Sequence, residues 1–449
     1  SGSLFSTGEG GRGDEATTAR ASPPKGLEAL LLLLFLPLLS QAQDVPLPPL
    51  NGPLTSAQAV SQALQTNGTV QAAQRALEAQ QAVRRAAYDV GRTALSVSYG
   101  QYNSYRNDNN LTLSQSLALP GVYRSQARLV DAQIAGRQQE LSRAQADLRR
   151  QVRLSYEQAV YARHRLRVLR GQDSLHTEFL RAAELRFKTG EVARLEPATA
   201  LVQQGETRVL LRQARTDYEV ARRQLQALLQ RPNAVAIVDS VLRPLVPALA
   251  LSVPVDSALL TQNPEARVLR QQLAERQATT RAEKAQGLPT LSLGYFNQSL
   301  IGPQTIGGVG GPERYYDAGN RFQGVQAGVA VPLWLGPLRA RVRGALLQEQ
   351  VAAATYARQQ AELAGRLDEL RARLTEQQQR LAFYEQTGLP QATIIVRLST
   401  RAFKAGEVGY AEHLLNLNRA LGLRTARLQA LLDHNQTVIE LDYLLGGAQ

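Results

Sequence analysis

One motif occurs twice in this chain, and that constrains its fold more than any other feature. Leu185-Arg-Phe-Lys-Thr-Gly-Glu-Val-Ala-Arg-Leu-Glu196 returns as Arg401-Ala-Phe-Lys-Ala-Gly-Glu-Val-Gly-Tyr-Ala-Glu412, roughly 216 residues later, with Phe, Lys, Gly, Glu and Val in register. Upstream of each copy runs the same succession: an Ala/Gln/Arg-rich helical stretch, a pair of strands of alternating polarity, then a long helix. A period of this length marks a duplicated unit. The chain is therefore expected to divide into two pseudo-symmetric halves, 54–231 and 255–446, joined by a Pro- and Val-rich linker, 232–254, that lacks helical period.

The composition is lean for a thick globular core: 44% hydrophobic and 5% aromatic residues over 449, with a mean hydropathy of -0.25. Long helices joined along narrow apolar seams, or a structure built around water, suit it better. Near the N-terminus, Arg12, Arg20 and Lys25 precede the apolar run Ala29 to Leu39, which ends in Ser40-Gln41-Ala42. That run falls short of the roughly 20 residues of a spanning helix and closes on a small-x-small site, so residues 1–42 are expected to be a secretory signal peptide. A Pro-rich lead-in, 43–53, follows.

Cysteine is absent, which excludes disulfides, thiolate metal sites and a lipidated N-terminal Cys. No later stretch reaches spanning-helix length without charges, so attachment to a membrane would have to use strands. The net charge of +13 invites a nucleic-acid reading. Yet the Arg residues are spread along helices among Gln and Glu, as at Arg143, Asp147, Arg150 and Arg153, and the export signal removes the chain from nucleic acid. Solvated helix faces beside anionic lipid or polysaccharide fit this charge better, and no nucleic-acid partner is expected.

Thr55 or Ser56 is the natural N-cap of a first helix, Asn67-Gly68 breaks it, and a second helix runs to about Tyr88. Leu95, Val97 and Tyr99 then alternate with Ser96, Ser98 and Gly100. The pattern recurs in Leu111 to Leu119, where Leu111, Leu113 and Leu117 share one face, with Asn103 to Asn110 as the turn. In the second half Leu291 and Leu293, then Val325 and Val329, do the same. Each segment is near the 9 to 11 residues that cross a bilayer as a tilted strand, apolar side outward. From the strands alone, an amphipathic hairpin on a soluble core stays open.

Pro120-Gly121 and Pro332 mark the passage from strand to helix. Beyond the first, Ile134, Leu141 and Leu148, and then Val152, Ala159 and Leu166, fall at heptad spacing, the sign of a coiled-coil seam. Helices of roughly 45 and 35 residues would make a hairpin on the order of 50 to 65 Å long. The second half restarts at Asn263-Pro264. The stretch Asn297 to Asn320 contains Gly307-Gly-Val-Gly-Gly311; with no Lys-Ser/Thr after it and no helix start, it reads as a flexible exposed loop rather than a phosphate cradle.

In the order and duplication of these elements the chain resembles the TolC-like outer-membrane efflux protein family over essentially all of its mature length. Carrying the resemblance are the tip turns Phe187-Lys-Thr-Gly190 and Phe403-Lys-Ala-Gly406, the strand pairs before Pro120 and Pro332, and Leu288-Pro-Thr-Leu-Ser-Leu-Gly294. Gly100-Gln-Tyr-Asn-Ser104, Asp108, Ser114-Gln115 and Pro120-Gly-Val-Tyr123 resemble the branch that partners heavy-metal resistance-nodulation-division (RND) pumps.

The resemblance implies an α+β chain whose homotrimer closes a 12-stranded transmembrane β-barrel, continued by a long periplasmic α-helical barrel of coiled-coil hairpins. Leu95, Val97, Tyr99, Leu111, Leu113, Leu117, Leu291, Leu293, Val325 and Val329 would then face outer-membrane lipid. Phe187, Lys188, Gly190, Phe403, Lys404 and Gly406 would be tips docking a periplasmic adaptor beneath an inner-membrane RND-type pump. Glu196 and Glu412 are candidate residues of the periplasmic aperture, although helix-start carboxylates favoured by the macrodipole explain them equally well.

No catalytic constellation, cofactor motif or metal-ligand set emerges. His164, His176, His413 and His434 are scattered over helices, and Glu412-His413 and Asp433-His434 point about 100° apart on a helix; surface positions are expected for them. The function expected is that of an export duct rather than an enzyme. A periplasmic adaptor, with a single hairpin and lipoyl-like modules, and a secreted coiled-coil scaffold are the rival readings.

Overall fold

The computed structural model describes residues 52–101, 104–233, 235–247 and 260–446. The expected signal peptide, and the lead-in as far as Asn51, lie outside them. The first half comprises α1 (Ser56–Thr66), α2 (Gly68–Ala82) with a 3₁₀ turn (Val83–Tyr88), β1 (Ala94–Gly100), β2 (Asp108–Ala118), α3 (Pro120–Lys188) and α4 (Leu195–Leu229). The second comprises α5 (Pro264–Ala285), β3 (Thr290–Ser299), β4 (Gly302–Thr305), β5 (Glu313–Tyr316), β6 (Arg321–Ala330) and α6 (Leu335–Phe383). A π turn (Tyr384–Gly388) then leads into α7 (Leu389–Ala405), and α8 (Tyr410–Leu444) returns.

The helix starts follow from local chemistry. Thr55 caps α1 through a capping box with Gln58, which satisfies two of the donors a helix start leaves free. Asn67 ends α1 and caps α2, its side-chain oxygen accepting from the Thr69 N–H while its amide donates to the Leu228 carbonyl. Asn263 repeats this in the second half: it accepts from Glu265 N–H and donates to the Leu444 carbonyl. One residue thus joins the start of each half to the end of its own hairpin.

The first long helix corrects the expected length. α3 runs unbroken for 69 residues, about 100 Å at 1.5 Å per residue, where the seam suggested 45. Leu141, Leu148, Val152, Ala159 and Leu166 are buried as expected, but the stripe continues through Leu169, His176 and Ala183 at the same seven-residue interval. A polar His inside the seam hid its continuation. It is tolerated because His176 Nδ1 meets Thr207 Oγ1 of α4 at 2.7 Å.

The helices pack around a core that includes Tyr156, Leu225, Leu229, Leu431 and Ile237. The linker crosses this core: Leu54 bridges to Ile237 in parallel, and the Tyr156 hydroxyl donates to the Leu54 carbonyl and Asp239 Oδ2. Asn435 binds Glu157 Oε2 at 2.7 Å and the Arg243 carbonyl at 2.8 Å. Burial holds the Glu157 carboxyl above its ordinary range, against the lowering effect of the Asn435 amide.

The four main strands form one antiparallel sheet in the order β1-β2-β3-β6, and β4 pairs with β5 separately. The central pairing, β2 with β3, joins the two halves of the duplication. The 297–320 stretch, expected to be a flexible loop, therefore carries an ordered two-stranded hairpin. Its base is held where Ile301 N–H donates to Ser104 Oγ and Asn109 N–H to Ser299 Oγ, and the Gly run forms only its tip.

Candidate membrane sheet and hairpin tips

The register of the sheet assigns its faces. Residues directly opposite in an antiparallel ladder share a face, and on one face lie the rows Val97-Leu111-Asn297-Gln323, Leu95-Leu113-Tyr295-Val325, Gln115-Leu293-Ala327 and Leu117-Leu291-Val329. Tyr99 extends this face along β1. All ten strand residues singled out by alternation are therefore together on it, and Tyr295, absent from that set, joins them. Leu95, Val97 and Tyr99 are 64%, 68% and 76% exposed, so nothing among the described residues covers them. On the helix side of the Leu113 row Gln115 is the polar exception: its amide donates to the Val90 carbonyl, and its oxygen accepts from Thr93, bridging where β1 has not yet begun.

Polar groups bound the apolar rows at the loop end. Arg321 donates to the Asn297 side chain and carbonyl and to the Asn109 side chain, and the Tyr295 hydroxyl donates to Gln323. At the helix end Leu333 and Trp334, the only Trp of the chain, are strongly exposed. The opposite face is built from Ser96, Ser98, Asn110, Thr112, Ser114, Ser116, Ser292, Gly294, Gln298, Gln326 and Gly328, with Phe296 and Phe322 added; the one ionisable residue these strands place on it is Asp108, buried at the loop end of β2. β1 and β6 close the sheet on neither side, so each leaves one edge unpaired among the described residues.

At the hairpin tips both repeated glycines adopt the left-handed backbone, Gly190 at φ 81° and Gly406 at φ 76°. Each closes a Schellman motif: Gly190 N–H reaches the Phe187 carbonyl and Glu191 N–H that of Arg186, while Gly406 and Glu407 reach Phe403 and Ala402. These bonds satisfy carbonyls that a helix end otherwise leaves open. The motif is recorded in the repeated Phe-Lys-x-Gly-Glu.

The two tips are not equivalent. Phe187, Lys188 and Gly190 are exposed, whereas Phe403 is half-buried, stacked on His413 at 4.9 Å and 7° and meeting Phe179 of α3 edge-on at 6.3 Å. Lys404 and Gly406 remain exposed. Glu196 is largely covered and paired with Arg186 at 3.3 Å, while Glu412 is exposed. Arg186 also bonds Glu191 at 3.4 Å and lies over the Phe403 ring, which ties the first tip to the second hairpin.

Burial of the histidines is a further correction. His413 is 1% exposed, and His176 and His434 are buried as well. Ser399 and His413 meet at 2.7 Å, within an apolar cluster of Phe179, Ala183, Ala200, Phe403, Tyr410 and Leu414 where α3, α4, α7 and α8 converge. Burial lowers the His413 pKa and, with a smaller effect of Glu196, pushes the Tyr410 hydroxyl up to about 12. Sequence reasoning missed Phe179, Ser399 and Tyr410. The available signal was that Ser399 and His413 stand seven residues before and after Gly406, a spacing that sets two helical positions face to face across a turn. Among the described residues no helix is long and apolar enough to cross a membrane, and no group of three or more His, Asp or Glu could hold a metal ion.

Two helical hairpins hung from one antiparallel sheet define the class: this is the fold of outer-membrane channel subunits. The outer-membrane channel OprN superposes with a TM-score of 0.72 at 22% identity, over 88% of this chain and 90% of that one. CusC, whose structures concern folding and transmembrane channel formation, gives 0.70 at 17% identity over 88% and 92%. The outer membrane protein VceC of Vibrio cholerae gives 0.68 at 16% identity over 87% and 96%. No curated protein matches the chain. Residues 255–447 match the family model described as outer membrane efflux protein. The second repeat thus matches the outer membrane efflux protein family model, and the described chain as a whole shares the fold of these outer-membrane channels.

Proposed function

We propose that three copies of this chain form the exit duct of a tripartite efflux system. The observation that carries the reading is the sheet, with one uncovered apolar face, one polar face and two open edges. In hydrocarbon every unpaired backbone group costs several kcal/mol, so a sheet facing lipid must close. Four strands are too few to do so. Three copies give 12 strands and a barrel roughly 24 Å across between backbones, for strands about 4.8 Å apart and tilted near 40°.

The helices supply a second line of support. Exposed apolar residues run along α4 (Leu201, Val202, Val209, Leu210) and along α6 and α7 (Leu346, Leu347, Ile394, Leu398). Contact between neighbouring copies would cover them and continue the barrel as a hollow tube. The tips at Phe187, Lys188 and Gly190, and at Phe403, Lys404 and Gly406, would meet a periplasmic adaptor, with an RND-type pump in the inner membrane driving transport. Glu196 and Glu412 would line the aperture, Glu196 already paired and Glu412 supplying the free charge. The cargo is a small solute. Heavy-metal cations as that cargo rest on the branch resemblance at Gly100 to Ser104, Asp108, Ser114-Gln115 and Pro120 to Tyr123.

A single-hairpin adaptor and a secreted scaffold fit less well, since neither accounts for two hairpins joined through a strand pairing between repeats. The test is expression in an efflux-deficient host, with membrane fractionation, heat-modifiable electrophoresis and growth on organic toxicants and on copper and silver salts. The expected result is an outer-membrane trimer that restores resistance. Recovery as a soluble monomer would overturn the reading, and the toxicant protected against identifies the cargo.

A further inference from the structure

Phe296 and Gly324 face each other directly in the β3-β6 ladder, on the polar face. A Cβ built on Gly324 would stand 2.7 Å from Phe296 Cζ and 2.9 Å from Cε1, closer than carbon atoms approach without displacement. The ring therefore lies across the glycine, flat against the sheet, in space that any side chain would fill. Phe296 occupies the row Ser96-Thr112-Phe296-Gly324, and it is the one large side chain in that row. Aromatic cover of a strand glycine is a recognised packing device, but here the covered face is the polar one, where no core lies above the ring.

Resting on the exit-duct reading, in which this face lines the lumen, we propose that the Phe296–Gly324 pair sets the width of the bore: Gly324 is the recess that keeps the Phe296 ring on the wall, and so fixes the largest solute the barrel passes. The row toward the helices carries Ser114, Gly294 and Gln326, all smaller than Phe, and in the row toward the loops the Phe322 ring is held edge-on against Tyr316 of the β4-β5 hairpin at 5.2 Å. Any side chain at 324 displaces the ring from its recess. In a trimer this happens at three equivalent points at one level, and three lifted rings of phenyl size would obstruct much of a bore whose backbone diameter is about 24 Å.

The chain's lack of cysteine permits a direct test in the full-length trimer in outer membranes. Ser116→Cys lies on the same face two rows nearer the helices, so a reagent entering from the strand-loop end must pass the Phe296 level to reach it. Maleimide-poly(ethylene glycol) reagents of graded size are added to intact cells. With Gly324→Val, labelling by the larger reagents should fall at least fivefold while the smallest still reacts, and adding Phe296→Ala should restore the original size limit. Should the valine variant fail to assemble, Gly324→Ala places a Cβ at the same point and is expected to lower the limit in the same direction. An unchanged size limit in assembled trimers, or a lowered one that Phe296→Ala does not relieve, overturns the proposal. Leu117→Cys, on the apolar face, separates this from failure of the barrel itself: labelling as fast as Ser116→Cys would refute the exit duct and not merely its gauge.

Discussion

Replacing Leu113 with Arg tests the membrane reading of the sheet at its most demanding point. Leu113 lies on β2, an interior strand, in a row with Leu95, Tyr295 and Val325, and the apolar rows continue on the helix side to Leu117, Leu291 and Val329. This is near the middle of the apolar band, where an Arg facing lipid costs about 2 to 4 kcal/mol per chain, or about 6 to 12 kcal/mol for three chains. That is comparable with the whole stability of an ordinary domain. Val97 is one row nearer the loops, beside Asn297 and Gln323, and its cost should fall toward the roughly 0 to 1 kcal/mol typical of the interface. Ser96 and Thr112 project from the other face. The amount of heat-resistant trimer in outer membranes should therefore be lowest for Leu113→Arg, intermediate for Val97→Arg and near the parent level for Ser96→Arg and Thr112→Arg. Equal losses on both faces, or a greater loss at Thr112 than at Leu113, would refute the assignment of faces.

Gly190→Asp and Gly406→Asp each place a side chain in a left-handed conformation, at a cost of about 1 to 2 kcal/mol; trimers should persist while resistance and crosslinking to the adaptor are lost, and normal crosslinking of the double variant would remove the tips from docking. His176 and His413 are held neutral by burial, with pKa values below the ordinary range. As pH falls below about 6.5, the unfolded chain takes up protons that the folded one refuses, so stability declines by up to about 1.4 kcal/mol per pH unit for each His until the lowered folded value is reached. Glu157, raised by burial, acts in the opposite sense, so the readout is the difference between profiles. Trimer dissociation temperature should fall less between pH 7 and 5 in a His176→Gln, His413→Gln double variant than in the parent, and parallel profiles would contradict the argument.

Much of this fold was legible because its signals are local and repeated. Alternation in β1 and β2 placed the apolar residues on one face, Asn67 and Asn263 stand where helices must restart, and Gly190 and Gly406 adopt the φ that only glycine takes easily. What could not be read depends on distant partners. His176 looks like a break in the seam until Thr207, 31 residues on, supplies its hydrogen bond. The bend of the 297–320 stretch into a hairpin depends on Ser104, which is distant in the chain. Gly324 looks like any strand glycine until the register brings Phe296 across it. The proposed closure of the sheet lies beyond one chain, and only the open edges of β1 and β6 point to it.

A helix that takes in an extra residue turns by about 100° relative to its former phase. At the π turn the Leu389 N–H reaches back to the Tyr384 carbonyl, so the surface that α6 shows its neighbours is not the one that α7 continues. Pro390 follows at the start of α7 and has no N–H with which to rebuild a regular ladder across the step. α3, the counterpart in the first half, has no such discontinuity in 69 residues. In the proposed trimer, continuous beams would therefore alternate with spliced ones around the ring. A load applied at the tips would bend the assembly at three equivalent splices, giving a wall of nearly sixfold appearance a threefold compliance.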